Sequence, residues 1–425
     1  MRIAYSALFV LLLPIIVARL LWRSRRAPAY RERLRERLGL FAAPVDERPV
    51  IWLHAVSLGE TLAAKPLVER ILDELDGYQL VITTTTPTGS QQVRRLFGQR
   101  VFHVYAPWDT PGAVSRFLKR ARPQLLILME TELWPNMLHH CARQGCAVML
   151  ANARLSARSA AGYARLPRTT RRMLSQLDWI AAQSVADADH FLQLGMDPAR
   201  MAVSGNIKFD LRLLPSLHSE ARGLRSAWGL EARPTFIFAS THAGEDAIAL
   251  EAFRRLRECQ PRALMLLVPR HPERFEDVAR QCSAAGWRVQ RRSREQPLTE
   301  DVDLLLVDTL GELLLLYGVA DVAVVGGSFI PHGGHNPLEA AVWARPILSG
   351  SSMFNFAEPT RQLSAAGALE QVDDAESLGA RLCALLEDPA QCRRRGDAAA
   401  AVVSANRGAL SALFGALQRL LDARP

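Results

Sequence analysis

The chain has 425 residues, half of them apolar and 22% charged, which excludes a disordered protein and leaves room for two domains of ordinary size. Its net charge is +9, and eight arginines set against Glu32 and Glu36 between positions 19 and 37 supply six of those charges. A nucleic-acid binder spreads basic residues over its folded body, so a charge this local excludes that class and points to a membrane surface.

Residues 3–18 are uncharged and mostly apolar, and the apolar run continues past Arg19 to Trp22. That is nearly enough to cross a bilayer, and the arginines behind it would stay cytoplasmic under the positive-inside rule. Ala27-Pro-Ala29 has the small-x-small form of a signal-peptide cleavage site, but the arginines between it and the apolar core favour an uncleaved, single-pass anchor. The expected layout is therefore an anchor at 1–22 and a basic juxtamembrane segment at 23–46. Tyr30, Leu34, Leu38 and Phe41 share one helical face, so the basic segment is expected to lie along anionic lipid.

From residue 48 apolar strands alternate with helical stretches. Strands are predicted at 50–53, 79–83, 125–129, 147–150 and 179–182. After a looser segment, 211–234, the rhythm restarts at 235–239, 263–268, 303–307 and 322–325. Repeated strand–helix units imply parallel sheets covered on both faces. The fold class is thus α/β, with two doubly wound, Rossmann-like domains at 47–212 and 213–425 facing a cleft; the second carries a helical tail at 373–421. Strand carboxyl ends would line that cleft. The six cysteines have no metal-site spacing and are expected as reduced thiols.

Chemistry-bearing residues collect after these strands. In His54-Ala-Val-Ser-Leu-Gly-Glu-Thr61, Ser57 and Glu60 fit a capping box. Glu60 is therefore a helix cap, a catalytic base, or both, and the helix terminus should keep its carboxylate ionised. Thr83-Thr-Thr-Thr-Pro-Thr-Gly-Ser90 is a hydroxyl-rich turn. Glu130-Thr-Glu132 ends an apolar strand with two acids that need a partner or a ligand. Lys208 offers a flexible cation, and Arg270 sits at a strand end where it can pair with phosphate. Leu310-Gly-Glu312 precedes a helix. In 331–345, Asn336 can cap a helix, with Pro337 and Leu338 in its first turn and Glu339 completing an N-x-x-E box. A glycine loop feeding such a helix aims backbone N–H groups at one point, which suits a phosphate. His332 and His335 lack a third ligand, so no metal is expected.

Taken in order, HAVSLGET, TTTTPTGS, YAPWDTPGAVSRFL, ETELWPN, ANARLS, SGNIKFD, LVPRHPERF, DTLGELLLLYG and GGHNPLEAA cover almost the whole chain. Together with the anchor, this set resembles the 3-deoxy-D-manno-oct-2-ulosonic acid (Kdo) transferases of Gram-negative bacteria. The resemblance implies a GT-B glycosyltransferase of the inner membrane that moves Kdo from CMP-Kdo to the lipid A precursor, lipid IVA, with inversion and without a cofactor. It also implies that Glu60 is the catalytic base and that Glu130 and Lys208 stabilise the transition state. Pro269 and Arg270, Leu310 to Glu312, and Asn336 to Glu339 would bind CMP. The scaffold alone would equally serve another sugar nucleotide, or a membrane-tethered nucleotide-binding protein without chemistry.

Overall fold

In the computed structural model, which describes residues 2–25, 27–44 and 47–423, seven parallel strands form the first sheet. They are β1 (Val50–His54), β2 (Gln79–Thr84), β3 (Phe102–Tyr105), β4 (Pro123–Met129), β5 (Ala147–Ala153), β6 (Trp179–Ala182) and β7 (Met201–Val203). Side by side they run β3-β2-β1-β4-β5-β6-β7, so the order reverses between β1 and β4. In a doubly wound sheet that reversal opens a crevice beyond the strand carboxyl ends. Both faces are buried. Val50 and Trp52 of β1 enter one core cluster, and Ile51 and Leu53 enter the other. Burial on both faces is why the central strands read as continuous apolar runs.

The second sheet repeats the plan with β8 (Thr235–Thr241), β9 (Leu264–Pro269), β10 (Val289–Arg291), β11 (Leu304–Leu306), β12 (Val322–Val325), β13 (Ile347–Ser349) and β14 (Leu369–Gln371). Its order is β10-β11-β9-β8-β12-β13-β14, with the reversal between β8 and β12.

The chain divides into two units, Met1–Asp210 with Arg407–Pro425, and Leu211–Asn406. This corrects the expected 213–425 domain, because the last helix, Ala409–Asp422, returns to the first unit. Leu413, Phe414, Leu417 and Leu421 join the cluster on the Ile51 face of the first sheet. Each fully buried side chain of this kind contributes about 2 kcal/mol. Asp210 fixes the start of that helix by accepting from the Gly408 and Leu410 N–H groups at 2.8 and 2.6 Å. The expected start of the first domain, at 47, adjoins residues 45–46, which lie outside the described residues. The looser segment contains a helix, Pro215–Ala227.

Residues Arg2–Arg23 form one helix, long and apolar enough to cross a membrane, with Ile3, Leu11, Ile15 and Trp22 facing outward. Its first turn is tied to the first unit: the Arg2 guanidinium and the Ser6 hydroxyl donate to Asn136 Oδ1 at 2.9 and 3.1 Å. The basic segment is not the lipid-facing helix suggested by the sequence. It is two short turns, Pro28–Arg31 and Leu34–Arg37, separated by Arg33 at φ 54°. Arg37 is buried, donates to the Thr85 carbonyl at 2.9 Å and lies 4.3 Å from the Tyr105 ring centre. Arg33 donates to Ser90 and to the His103 carbonyl. Folding onto the sheet edge satisfies these guanidiniums better than a free amphipathic helix would. A cavity of about 920 Å³ remains, lined by Arg31, Arg33, Arg35, Arg94 and Arg120 together with Phe41.

Not all six cysteines are thiols. Cys259 and Cys383 form a disulfide with a Cα–Cα distance of 6.2 Å, joining the helices Glu245–Cys259 and Ala375–Glu387. Their separation of 124 residues hides the pairing from any local spacing rule.

Candidate active site

In the first unit the reversal between β1 and β4 carries an acidic cluster. Ser57 caps the helix Leu58–Glu74 by accepting from the Glu60 N–H. The Glu60 side chain turns back, with Oε2 accepting from the Val56 N–H at 2.7 Å and Oε1 from the Ser57 hydroxyl at 2.9 Å. The capping arrangement is therefore present, with Val56 supplying the backbone N–H. Only 9% of Glu60 is exposed. Burial, followed by the charges of Glu132 and Glu130, pushes its carboxyl up to about 7 against the pull of Val56 and Ser57. The permanently ionised carboxylate expected from the helix terminus is corrected accordingly, because lost hydration outweighs two hydrogen bonds and the dipole. A carboxyl divided between its two forms near neutral pH is matched to proton abstraction.

Glu130 follows β4 directly and is held at φ 58°, a left-handed conformation unusual for a residue other than glycine. Its Oε1 lies 3.6 Å from Lys208 Nζ. Lys208 stands on the turn Ile207–Phe209, which is capped by Asn206 and anchored where Asn152 Oδ1 accepts from the Ile207 N–H at 3.0 Å. The fold thus brings Glu60, Glu130 and Lys208 together from three distant places in the chain. It adds Glu132, whose carboxyl accepts from Trp134 Nε1 at 2.7 Å and is raised by burial and by Glu130. The sequence signal for Glu132 is the E-x-E pair closing an apolar strand.

In the second unit Pro269 ends β9, and the Arg270 N–H donates to the Thr241 carbonyl at 3.0 Å. The Arg270 side chain is exposed, and its charge acts on both Glu339 and His335. Burial raises the half-buried Glu339 carboxyl, while Asn336 and Arg270 pull it down. The Asn336 amide donates to Glu339 Oε1 at 3.3 Å and accepts from the Leu338 N–H at 3.1 Å. Arg270 and 336–339 therefore share one neighbourhood. Leu310 is exposed, Gly311 sits at φ 92°, and Glu312 accepts from Arg292 at 2.8 Å and from Thr309. Glu312 thus has Arg292 and Thr309 for partners.

The glycine loop differs from the expected phosphate cradle. The helix after Asn336 is a single turn, Leu338–Ala341, and its first N–H is taken by Asn336 itself. Within the loop the Gly333 N–H donates to the Ser352 hydroxyl, and the Gly334 and His335 N–H groups donate to the Gly327 and Gly326 carbonyls. Ahead of it, the N–H groups of Gly327, Ser328 and Phe329 converge on the buried carboxylate of Glu245, at 2.7 to 3.0 Å. The same carboxylate accepts from the His242 N–H at 2.9 Å. His242 is also the third histidine that the sequence pattern lacked: its imidazole and those of His332 and His335 place ring nitrogens within 4.8 Å of one another.

The family model for 3-deoxy-D-manno-octulosonic-acid transferase (kdotransferase) matches residues 32–211. A 3-deoxy-D-manno-octulosonic acid transferase of Haemophilus influenzae is 40% identical over 423 residues, 99% of each chain. One of Bordetella pertussis is 40% identical over 387 residues, 88% of each. The UDP-GlcNAc 2-epimerase of Neisseria meningitidis, 14% identical, superposes with a TM-score of 0.57 over 87% of this chain and 100% of its own, a likeness of fold in which each unit is a parallel α/β domain of the GT-B type. Matched along their whole length by relatives of this identity, the residues belong to a glycosyltransferase of the 3-deoxy-D-manno-octulosonic acid transferase family.

Proposed function

We propose that the chain transfers Kdo from CMP-Kdo to the lipid A precursor, lipid IVA, with inversion, and that Glu60 takes the proton of the attacking hydroxyl. The observation that carries this reading is the arrangement at the β1–β4 reversal, where the nearly buried Glu60 carboxyl, held by Val56 and Ser57, stands near the Glu130–Lys208 pair, and burial raises it toward neutrality. The acceptor oxygen attacks the anomeric carbon as the bond to CMP breaks, the electron pair leaves on the phosphate, and the proton ends on Glu60. Lys208, held by Glu130, supplies positive charge where negative charge develops. In the second unit Pro269, Arg270, 310–312 and 336–339 would hold CMP, with Arg270 on the phosphate. A nucleoside monophosphate is already a competent leaving group, so one displacement suffices, with no covalent glycosyl-enzyme, cofactor or required metal. Full activity in EDTA is the expected result, and activity restored only by added magnesium would contradict it.

Membrane attachment falls to the helix Arg2–Arg23, with both folded units on the cytoplasmic side of the inner membrane. Its first turn is tied to Asn136 of the same unit that follows it. That tie favours a helix lying in the lipid interface over the single crossing suggested by the sequence. The arginine-lined cavity beside Phe41 suits the phosphates of an anionic lipid such as the acceptor.

Incubation with CMP-Kdo and lipid IVA should yield, by mass spectrometry, lipid heavier by whole Kdo residues. Product formed from UDP-sugars and none from CMP-Kdo would overturn the reading.

A further inference from the structure

The second unit presents an unusual concentration of imidazoles at its ligand end. His242 follows β8, and His332 and His335 follow β12, so all three stand at the strand reversal where a doubly wound sheet binds its ligand. His242 Nε2 and His335 Nε2 lie 2.9 Å apart with their ring planes parallel to 2°. The His332 ring centre is 3.9 Å from that of His242, and the His271 centre is 5.3 Å away. The backbone is built to admit them. Gly327 sits at φ 68°, and a Cβ there would come within 3.0 Å of the His335 ring.

In many phosphate-binding loops the backbone N–H groups after the strand take the oxyanion. Here those groups are already satisfied by Glu245. The donors left at the reversal are side chains. We propose that His242, His332 and His335, with Arg270, form an oxyanion subsite that takes one of the two acidic groups of the donor, the phosphate or the sugar carboxylate. The proposal rests on the donor assigned above and adds to it residues outside the expected CMP-binding segments.

The charges around the cluster support an anion. His242 is influenced by His332, His271, Arg274 and Arg270, and His335 by Arg270, His242, His332 and His271. Burial first, and then these neighbours, lower His242 to about 4 and His335 to about 3. The carboxylates on the same elements are committed elsewhere: Glu245 to four backbone N–H groups, Asp246 to Arg274 and Thr241, and Glu339 to Asn336. The surroundings are therefore cationic. An arriving oxyanion reverses that field, favours protonation of the imidazole pair and gains charge-assisted hydrogen bonds. Three imidazoles this close could instead ligate a transition-metal ion, but the Arg270 charge disfavours a dication.

The test is calorimetry on the full chain in detergent, titrating CMP, CMP-Kdo and Zn²⁺ separately, with His242→Ala, His332→Ala and His332→Gln. His332 is exposed, so its variants should fold even if His242→Ala does not. Each alanine variant should bind CMP-Kdo about tenfold more weakly. The KM for donor should rise by a similar factor, with kcat and the KM for acceptor little changed, and His332→Gln should recover part of the loss. An equal loss for CMP assigns the phosphate to the cluster, and unchanged CMP affinity assigns the sugar carboxylate. Native-like CMP-Kdo affinity in both alanine variants overturns the subsite, as does one Zn²⁺ bound through the histidines with donor affinity unaffected. Failure of the unmodified chain to bind CMP-Kdo would instead strike the proposed function, and the subsite with it.

Discussion

Glutamine at position 60 should stabilise the first unit at pH 8 and leave it nearly level with the native chain at pH 5. The folded Glu60 carboxyl is raised from its ordinary 4.5 to about 7, mainly by burial. A group raised in this way contributes stability that is complete below its unfolded value and is lost as pH climbs through its folded value. At about 1.4 kcal/mol per pH unit the whole effect is about 3 kcal/mol, of which about 2.5 kcal/mol falls between pH 5 and pH 8. Glutamine keeps the shape and never ionises, so it escapes that loss. Urea titration followed by amide hydrogen exchange of β1 and β4 reads the first unit. The refuting result is a gap between variant and native chain that is the same at both pH values, or a native chain that is the more stable at pH 8.

Arg270→Ala should weaken CMP binding several-fold and leave acceptor binding unchanged; equal CMP affinity by calorimetry would remove Arg270 from the site. Replacing Cys259 and Cys383 with serine should destabilise the second unit by about 3 kcal/mol without reductant and by little once the native chain is reduced, measured by thermal unfolding. Deleting residues 2–23 should move the chain from the membrane fraction to the soluble fraction; retention on membranes would assign attachment to another surface.

The architecture was legible because both sheets are buried on two faces, which turns strands such as 125–129 and 322–325 into plain apolar runs between helices. The edge strands β3, β7, β10 and β14 escaped, since residues such as His103, Gln290 and Glu370 leave polar or half-exposed positions that resemble loop, and the buried interior strand β13 escaped because three residues are too short a run to read. The return of Ala409–Asp422 to the first unit was hidden because an amphipathic helix declares its apolar face but not what that face covers. At the site, Glu60 and Glu130 could be picked out by their places after predicted strands, whereas Lys208, behind the unpredicted β7, was marked only by its charge and the family resemblance. Their meeting required the parallel order that sets β1 beside β4. Local rules misled twice, once through burial and once through partners that a local rule does not see. The helix terminus argued for an ionised Glu60, and desolvation leaves it only partly ionised near neutral pH. The glycine loop argued for a bound phosphate, but its Gly333, Gly334 and His335 N–H groups donate to the Ser352 hydroxyl and to the Gly327 and Gly326 carbonyls. His242 was missed as a neighbour of His335 for the same reason, being 93 residues away.

The most direct measurement is a single-turnover transfer assay with Glu60→Ala, run beside CMP calorimetry on the same preparation. CMP affinity should match the native chain while transfer to lipid acceptor falls at least a hundredfold, the scale set by loss of a general base. Turnover near the native rate, with CMP bound normally, would place the base elsewhere and contradict the role given to this carboxyl.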